Sequence, residues 1–513
     1  MLKKIRISLA ILFFSILTLL FLDFTGTIHV WFGWIAKIQL FPAVLAVNIG
    51  IIILLVLITL FLGRAYCSVI CPLGILQDII ARIGKIRKKL PYSFSKPKSW
   101  LRYGVLSLFI LSIILGISIL YGMLDPYSAY GRIANTLFLP IWQKGNNILA
   151  NFAERSDSYA FYHADILPKS MPTFIVAIAT FIIVALLAFM NGRTYCNTIC
   201  PVGTVLGFLS RFSFFKIRFD THKCNKCGLC EKNCKAASIN SSEFNIDYSR
   251  CVVCMNCIDK CHRGAIGYRI RRKHSNKSVE QASSLTKIEE ATLINNETID
   301  KGRKGFLIAT LLLAGSVLKS QIVPKTFEMK VDGGFANIKE KKMPKRQIAI
   351  TPAGSESDGN IKKHCTGCQL CISVCPNKIL RPSNSLDSFM QPFISYENGW
   401  CRPECVKCSE VCPTGAIKRI SKEEKSSIQI GHAVFVRERC IPIVDLQECG
   451  NCERKCPTNA IMMVPSVPND ANSLKIPALN ENLCIGCGAC EFLCPARPYS
   501  AIFVEGHKKH KFI

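Results

Sequence analysis

The chemistry of this chain is written in its 28 cysteines, and their spacing says what that chemistry is. Each lies in a motif with a second cysteine three or four residues away, or fills a ligand position in such a motif, so none is left over. The strings CNKCGLCEKNC at Cys224 and CVVCMNCIDKC at Cys251 show the type: three cysteines at three-residue intervals, then a fourth. Thiolates in this period hold 4Fe–4S clusters, and the fourth cysteine of one run ligates the cluster of the other. Cys224, Cys227 and Cys230 with Cys261 would hold one cluster, and Cys251, Cys254 and Cys257 with Cys234 the next. A disulfide framework belongs mainly to small secreted domains and rarely shows this period. Tetrahedral zinc is the other use of CxxC pairs, but it does not call for a third and fourth cysteine in the same register.

Sixteen further cysteines lie between residues 361 and 505 in four runs. By the same crossing, Cys365, Cys368 and Cys371 go with Cys412, and Cys401, Cys405 and Cys408 with Cys375. Cys440, Cys449 and Cys452 then go with Cys494, and Cys484, Cys487 and Cys490 with Cys456. Proline follows the last cysteine of all four runs (Pro376, Pro413, Pro457, Pro495), whereas Lys235 and His262 stand there in the earlier pair. Six 4Fe–4S clusters are expected. Short apolar stretches at Gly415, Asn459 and Ser500 fit small strands packed over them.

The last four cysteines occupy an internal repeat. GRAYCSVICPLG at Gly63 and GRTYCNTICPVG at Gly192 agree at eight of twelve positions. If the two halves face each other, Cys67, Cys71, Cys196 and Cys200 supply four thiolates, enough for a seventh cluster or a soft metal. Each pair could equally cap a helix end or form a redox disulfide.

These motifs must be positioned by apolar helices. Half the residues are hydrophobic, and runs near 7–22, 41–62, 101–121 and 172–190 are each long enough to cross a bilayer core of about 30 Å. The first resembles a signal peptide but has no small-residue cleavage site after it, so it reads as a retained anchor. Arg82, Lys85, Arg87, Lys88, Lys89, Lys96, Lys98 and Arg102 crowd the loop between the second and third runs, while residues 122–171 carry balanced charge. The positive-inside rule then puts the amino terminus and both boxes on the cytoplasmic side and residues 23–40 and 122–171 outside. The same rule accounts for the formal charge of +29 without nucleic acid, for which no basic–aromatic binding module is present.

The expected organisation is a membrane α-helical domain of four helices in two repeats plus α+β modules of the bacterial-ferredoxin type. Residues 1–215 form the membrane domain and 216–270 a two-cluster module; 271–302 is a polar linker. Residues 303–323 form a fifth apolar helix resembling an internal twin-arginine signal, with Lys304 at the second arginine position. A second linker covers 324–360, and a four-cluster module 361–513.

The two GRxYCxxxCP boxes followed by a double-cluster module resemble the NapH-type membrane ferredoxins, related to the membrane parts of NosR and of the cytochrome oxidase assembly ferredoxins. The segment from Gly302 is similar to the NapG and MauM type of periplasmic ferredoxin. The resemblance implies a fused quinol dehydrogenase of the bacterial inner membrane. It would draw on the quinone pool, with or without other membrane subunits, and pass electrons to a periplasmic reductase or cytochrome.

A quinol site needs proton acceptors. His29 in TIHVWFGW and His163 in FYHAD lie near the expected outer face, with Asp23, Asp125 and Asp165 as possible partners, and His29 is the candidate for quinol oxidation. His29 could equally ligate a haem or pack at the interface. The string CIDKCH is one residue too long for haem attachment. Two other functions remain open: a conduit fed by a cytoplasmic ferredoxin or flavoprotein, and a redox protein of metalloenzyme assembly. No phosphate loop, nucleotide fingerprint or hydrolase motif is present.

Overall fold

A computed structural model describes residues 2–513 apart from 24, 89–91, 159–160, 165, 167–169, 271–338, 469 and 471. The expected linker 271–302, the expected helix 303–323 and Asp165 lie outside the described residues.

Among the described residues, two helices are long and apolar enough to cross a membrane: α1 (Leu2–Leu22) and, further along, Met171–Asn191. Between them lie α2 (Thr27–Phe32), α3 (Ile49–Leu62), α4 (Pro72–Lys88), α5 (Ser99–Ile114), α6 (Ser118–Leu124), α7 (Pro126–Ile133) and α8 (Leu139–Arg155). Met171–Asn191 is then α9, and Pro201–Ser210 is α10. The second and third apolar runs are interrupted where the sequence reading continued them. Val47 takes a left-handed backbone before α3, and Gly116 does so between α5 and α6. Turns of that hand stop a helix because the next amide cannot reach back four residues.

The larger departure is the segment after α6. Residues 122–171 were expected as an outside loop, but every residue of α7 is buried, and the π-helical stretch Ala134–Phe138 continues it with all but its last residue buried. This buried piece packs against α4 and α9. Asp125 caps it, its Oδ2 accepting from Ser128 N at 2.9 Å and Ser128 Oγ at 2.6 Å. Proline at the first helical position fits the same start.

The first module is closed by β1 (Phe215–Phe219), antiparallel to β4 (Ile266–Ile270), around the short pair β2 (Ile239–Asn240) and β3 (Asn245–Ile246). The second module is held by β5 (Leu380–Pro382) with β6 (Pro392–Ile394), β7 (Ile428–Phe435) with β10 (Ile502–Phe512), and β8 (Ile461–Pro465) with β9 (Lys475–Leu479). Strands therefore follow Asn459 and Ser500 as expected, but not Gly415, where Lys418 N instead donates to Gly354 O at 2.8 Å. The module also begins earlier than expected. From residue 339 the expected linker is integrated into it: Ile350 is fully buried, its carbonyl accepts from Ile394 N at 2.8 Å, and Arg346 pairs with Glu491 at 2.5 Å.

The two modules sit at opposite ends of the long helices. At its start α1 holds the first module through Lys3 and Asp259 (2.7 Å); past its end, Thr25 O accepts from Lys407 of the second. Helix α9 runs the other way, with Ser170 before it facing the second module and Gly192 after it against Lys235 O of the first. A helix of 21 residues is about 30 Å long, which sets the separation.

Candidate redox centres

The repeat brings the two boxes together by an exchange of arginines. Arg64 of the first box donates to Cys196 O of the second at 3.2 Å, and Arg193 of the second donates to Cys67 O of the first at 2.6 Å. The glycine closing each box makes room: a Cβ on Gly74 would lie 2.4 Å from Cys67 O and 2.8 Å from Arg193 Nη1, and one on Gly203 2.3 Å from Cys196 O and 2.9 Å from Arg64 Nη2. Both arginines are fully buried. Arg193 Nε also donates to Asp78 Oδ1 at 2.6 Å, and Asp78 is shared with Lys235 and Arg6. In consequence Cys67, Cys71, Cys196 and Cys200 form one buried group, with Gln77 Nε2 3.2 Å from Cys196 Sγ and Gly203 N 3.3 Å from Cys200 Sγ. Such donors suit sulfur that carries negative charge.

The other cysteines gather in fours. Cys224, Cys227, Cys230 and Cys261 line a cavity of about 180 Å³ rimmed by Lys223, Lys226, His262 and Arg263. Cys234 faces Cys254, and both face Cys257, which also interacts with Cys251. In the second module Cys412 interacts with Cys365, Cys368 and Cys371, and Cys375 lines a cavity with Cys401, Cys405 and Cys408. Cys456 lines one with Cys484, Cys487 and Cys490, while Cys440 interacts with Cys449 and Cys494, and Cys452 with Cys440 and Cys449. All 28 thiols are free of disulfides. Among the described residues, no three histidine, cysteine or carboxylate side chains converge tightly enough for a single ion.

Bare thiols in these positions resist ionisation. Burial pushes Cys452 and Cys487 up to about 12, with neighbouring thiols acting in the same direction, and Cys440 up to about 11. Four thiolates are stable there only beside compensating positive charge, which iron supplies.

The groups form a series. Cys257 interacts electrostatically with Cys230 in the first module; in the second, Cys371 does so with Cys408 and Cys490 with Cys452, and Cys401 N donates to Cys487 O at 2.9 Å. Arg64 joins the boxes to the first module, lying 3.8 Å from Cys67 Sγ and donating to Ser249 O, two residues before Cys251, at 2.9 Å. The buried α7 and its neighbours join them to the second. A Cβ on Gly131 would lie 2.5 Å from Cys368 O, Tyr121 Oη donates to Lys363 O at 2.6 Å, and Asn135 Nδ2 to Gln369 Oε1 at 3.1 Å. Arg132 interacts with both Cys368 and Tyr195, the tyrosine preceding Cys196, and Tyr127 with both Cys368 and Tyr66, the tyrosine preceding Cys67. Sequence reading did not single out Arg64, Tyr66, Tyr127, Arg132, Arg193 or Tyr195. The recurrence of Arg and Tyr in both boxes was the available signal for four of them.

His29 lies in α2, buried, with Nδ1 3.1 Å from Asp23 Oδ2 and Nε2 enclosed. His163 is exposed and pairs with Glu154 at 3.3 Å. Asp125 serves α7 as described, so neither it nor His163 joins His29.

Several four-cysteine sites carried on apolar helices define a multi-centre iron–sulfur electron-transport protein. Family comparison agrees: the chain matches a 4Fe-4S binding domain family at residues 44–91 and 173–220, one copy per box, and 4Fe-4S dicluster families at 364–417 and 447–497. The chain belongs to the family of ferredoxin-type proteins that includes MauM. It is 30% identical over 165 residues to the methylamine utilization ferredoxin-type protein MauM of Methylobacillus flagellatus, covering 31% of this chain and 70% of MauM. It is 28% identical over 180 residues to the ferredoxin-type protein NapF of Escherichia coli, covering 35% of this chain and all of NapF. YccM of Escherichia coli, which carries a provisional electron-transport name, is 27% identical over 226 residues, 43% of this chain and 55% of YccM; the chain thus spans about half of that relative. No solved structure matches.

Proposed function

We propose that this is a membrane-spanning quinol dehydrogenase component of the bacterial inner membrane, passing electrons to a periplasmic reductase or cytochrome. The observation that carries this is the placement of cysteine groups at both ends of the long helices, with the boxes tied to the first module by Arg64 and to the second by Tyr127 and Arg132 of α7. Six 4Fe–4S clusters are held by the six groups of the two modules, and a seventh by Cys67, Cys71, Cys196 and Cys200. When bound, each cluster accepts and releases one electron. The chain's own residues do the rest: Arg64 and Arg193 lock the boxes face to face, α7 bridges toward the second module, and burial keeps water from the box cysteines. With the amino terminus and first module cytoplasmic and the second module periplasmic, the roughly 30 Å of helix spans the bilayer. His29, oriented by Asp23, is one candidate acceptor for a quinol proton.

A second reading is favoured by one feature. The cavity of Cys224, Cys227, Cys230 and Cys261 is open, with Cys227 exposed and four basic residues around it. An acidic soluble carrier would dock there and feed electrons outward.

The test uses membrane vesicles of both orientations. Protease or thiol-free surface labelling should reach residues 339–513 only from the periplasmic side, and quinol should reduce the clusters without soluble donors. Access to that module from the cytoplasmic side would end the two-sided reading. Reduction only by an added soluble donor would replace the quinol by the carrier.

A further inference from the structure

A cavity of about 830 Å³ lies where the second module meets the helical domain. It belongs to none of the cysteine groups, yet Cys375 forms part of its wall. Asn135 of the π-helical stretch, Leu139 and Gln143 of α8 and Ser170 before α9 form one side; β5 and β6 of the second module form the other. A π-helical turn often marks a functional site, and here it brings Asn135 to the wall.

Position and lining together select the ligand. The cavity opens at one end of α9, beside α8, whose Ile141, Trp142, Ile148, Leu149 and Phe152 are exposed as on a helix lying in a membrane surface. Its walls combine apolar groups (Leu139, Ile372, Phe393) with amides and with the carboxylate of Glu397. Glu397 Oε2 is 2.7 Å from Arg381 Nη1 and 3.3 Å from Ser395 Oγ, at the half-exposed edge. A volume of 300–1,000 Å³ suits a small organic ligand. A lipid-soluble ligand with a flat ring and two polar ends, placed against a redox centre and a proton acceptor, is a hydroquinone.

We infer that this cavity is the quinol-oxidising site; the inference rests on the quinol reading above and gives it a location other than His29. The ring lies between Gln143 and the wall at Cys375, with its apolar tail leaving along α8. Oxidation breaks two O–H bonds. With a 4Fe–4S cluster held by Cys375, Cys401, Cys405 and Cys408, that group would be the first one-electron acceptor, and a cluster at the neighbouring group of four cysteines would take the second electron. The two protons leave by Glu397 to water at the Arg381 edge.

The test uses purified full-length chain in lipid nanodiscs, with decylubiquinol and a menaquinol analogue as reductants and an azidoquinone as photolabel. Gln143→Trp and Ala349→Trp, which fill the cavity from opposite walls, should each slow quinol-driven cluster bleaching at least tenfold. Dithionite-reduced spectra should stay unchanged, showing intact clusters. Label should map to 343–350 and 372–384 and be lost in both variants. If both variants reduce at the wild-type rate while His29→Ala is slow, or if label falls elsewhere, the cavity is not the site although the quinol reading stands. If wild type takes the label here but is reduced by neither quinol, the cavity binds quinone and the quinol-donor reading fails instead.

Discussion

The exchange of arginines between the boxes makes Arg193→Gln the most informative single substitution. Arg193 is fully buried and makes two charge-assisted bonds, to Asp78 Oδ1 and Cys67 O, both at 2.6 Å. Each such bond is worth about 1.5–3 kcal/mol, and breaking a buried ion pair from one side costs about 3–5 kcal/mol. Asp78 keeps Lys235 and, at 3.3 Å, Arg6, so the carboxylate is not stranded and the lower part of that range, about 3 kcal/mol, applies. The carbonyl of Cys67 loses its side-chain donor entirely, which frees the first box to move relative to the second. The assay is thermal unfolding of the detergent-solubilised chain read together with iron content and the spectrum of the box centre. The expected result is a clearly lower midpoint and selective loss of the box signal, with the module clusters retained. Arg193→Lys should fall between, because one ammonium cannot serve both acceptors in a fork. Arg6→Gln, which removes two long contacts, to Asp78 Oδ2 at 3.3 Å and to Ser68 O at 3.4 Å, should cost less, about 1 kcal/mol. If Arg193→Gln melts with the wild type and keeps the box signal, the crossed arginines do not hold the boxes together.

Three further outcomes follow from the same geometry. Gly131→Leu puts a side chain where a Cβ already lies 2.5 Å from Cys368 O, so the second module should lift from α7, and trypsin should then cut the chain between the modules faster. Cys412→Ser should remove about four iron atoms and the signal of the Cys365, Cys368 and Cys371 centre, whereas loss of the Cys401 centre instead would refute the crossing. His510, buried with Nε2 3.0 Å from Thr351 Oγ1, is pushed down to about 4 by burial and then by His507. Unfolded, it titrates near 6.5 and so binds a proton that the folded state refuses; stability falls as pH drops from about 6.5 toward 4, by at most about 3 kcal/mol. His510→Asn should flatten that slope in denaturant titrations of the full chain, and an unchanged slope would clear His510 of the effect.

What could be read from the chain beforehand was what is local. A cysteine period of three dictates which thiols share a loop, and the repeat of two boxes is visible by alignment of twelve residues. The role of DPYSAYGR at Asp125 was not legible, because a short amphipathic stretch between apolar runs looks like any outer loop until tertiary contacts bury all of it. Residues 339–360 misled for the opposite reason: rich in Lys and Pro, they carry no hydrophobic period, and they join the second module mostly through backbone bonds and through Arg346, which no composition reports. The breaks at Val47 and Gly116 likewise depend on backbone hand rather than hydropathy.

The charge of the chain also reads differently once the sites are placed. A formal +29 counts every cysteine as neutral. A 4Fe–4S core of charge +2 with four thiolates adds about −2, so six or seven of them would bring the loaded chain to roughly +15 to +17. Buried cations stand where that negative charge would form. Lys425 donates to Arg402 O and Cys405 O, and Lys341 to Phe492 O and Cys494 O, while Arg64 and Arg132 flank the boxes and Cys368. Burial pushes Lys341 down to about 8, a position that a buried ammonium holds poorly without an anion beside it. The basic residues thus fall into two sets: those in the loop after the first box, which in the proposed topology would face the cytoplasm, and those in the core, which stand beside the cysteine groups.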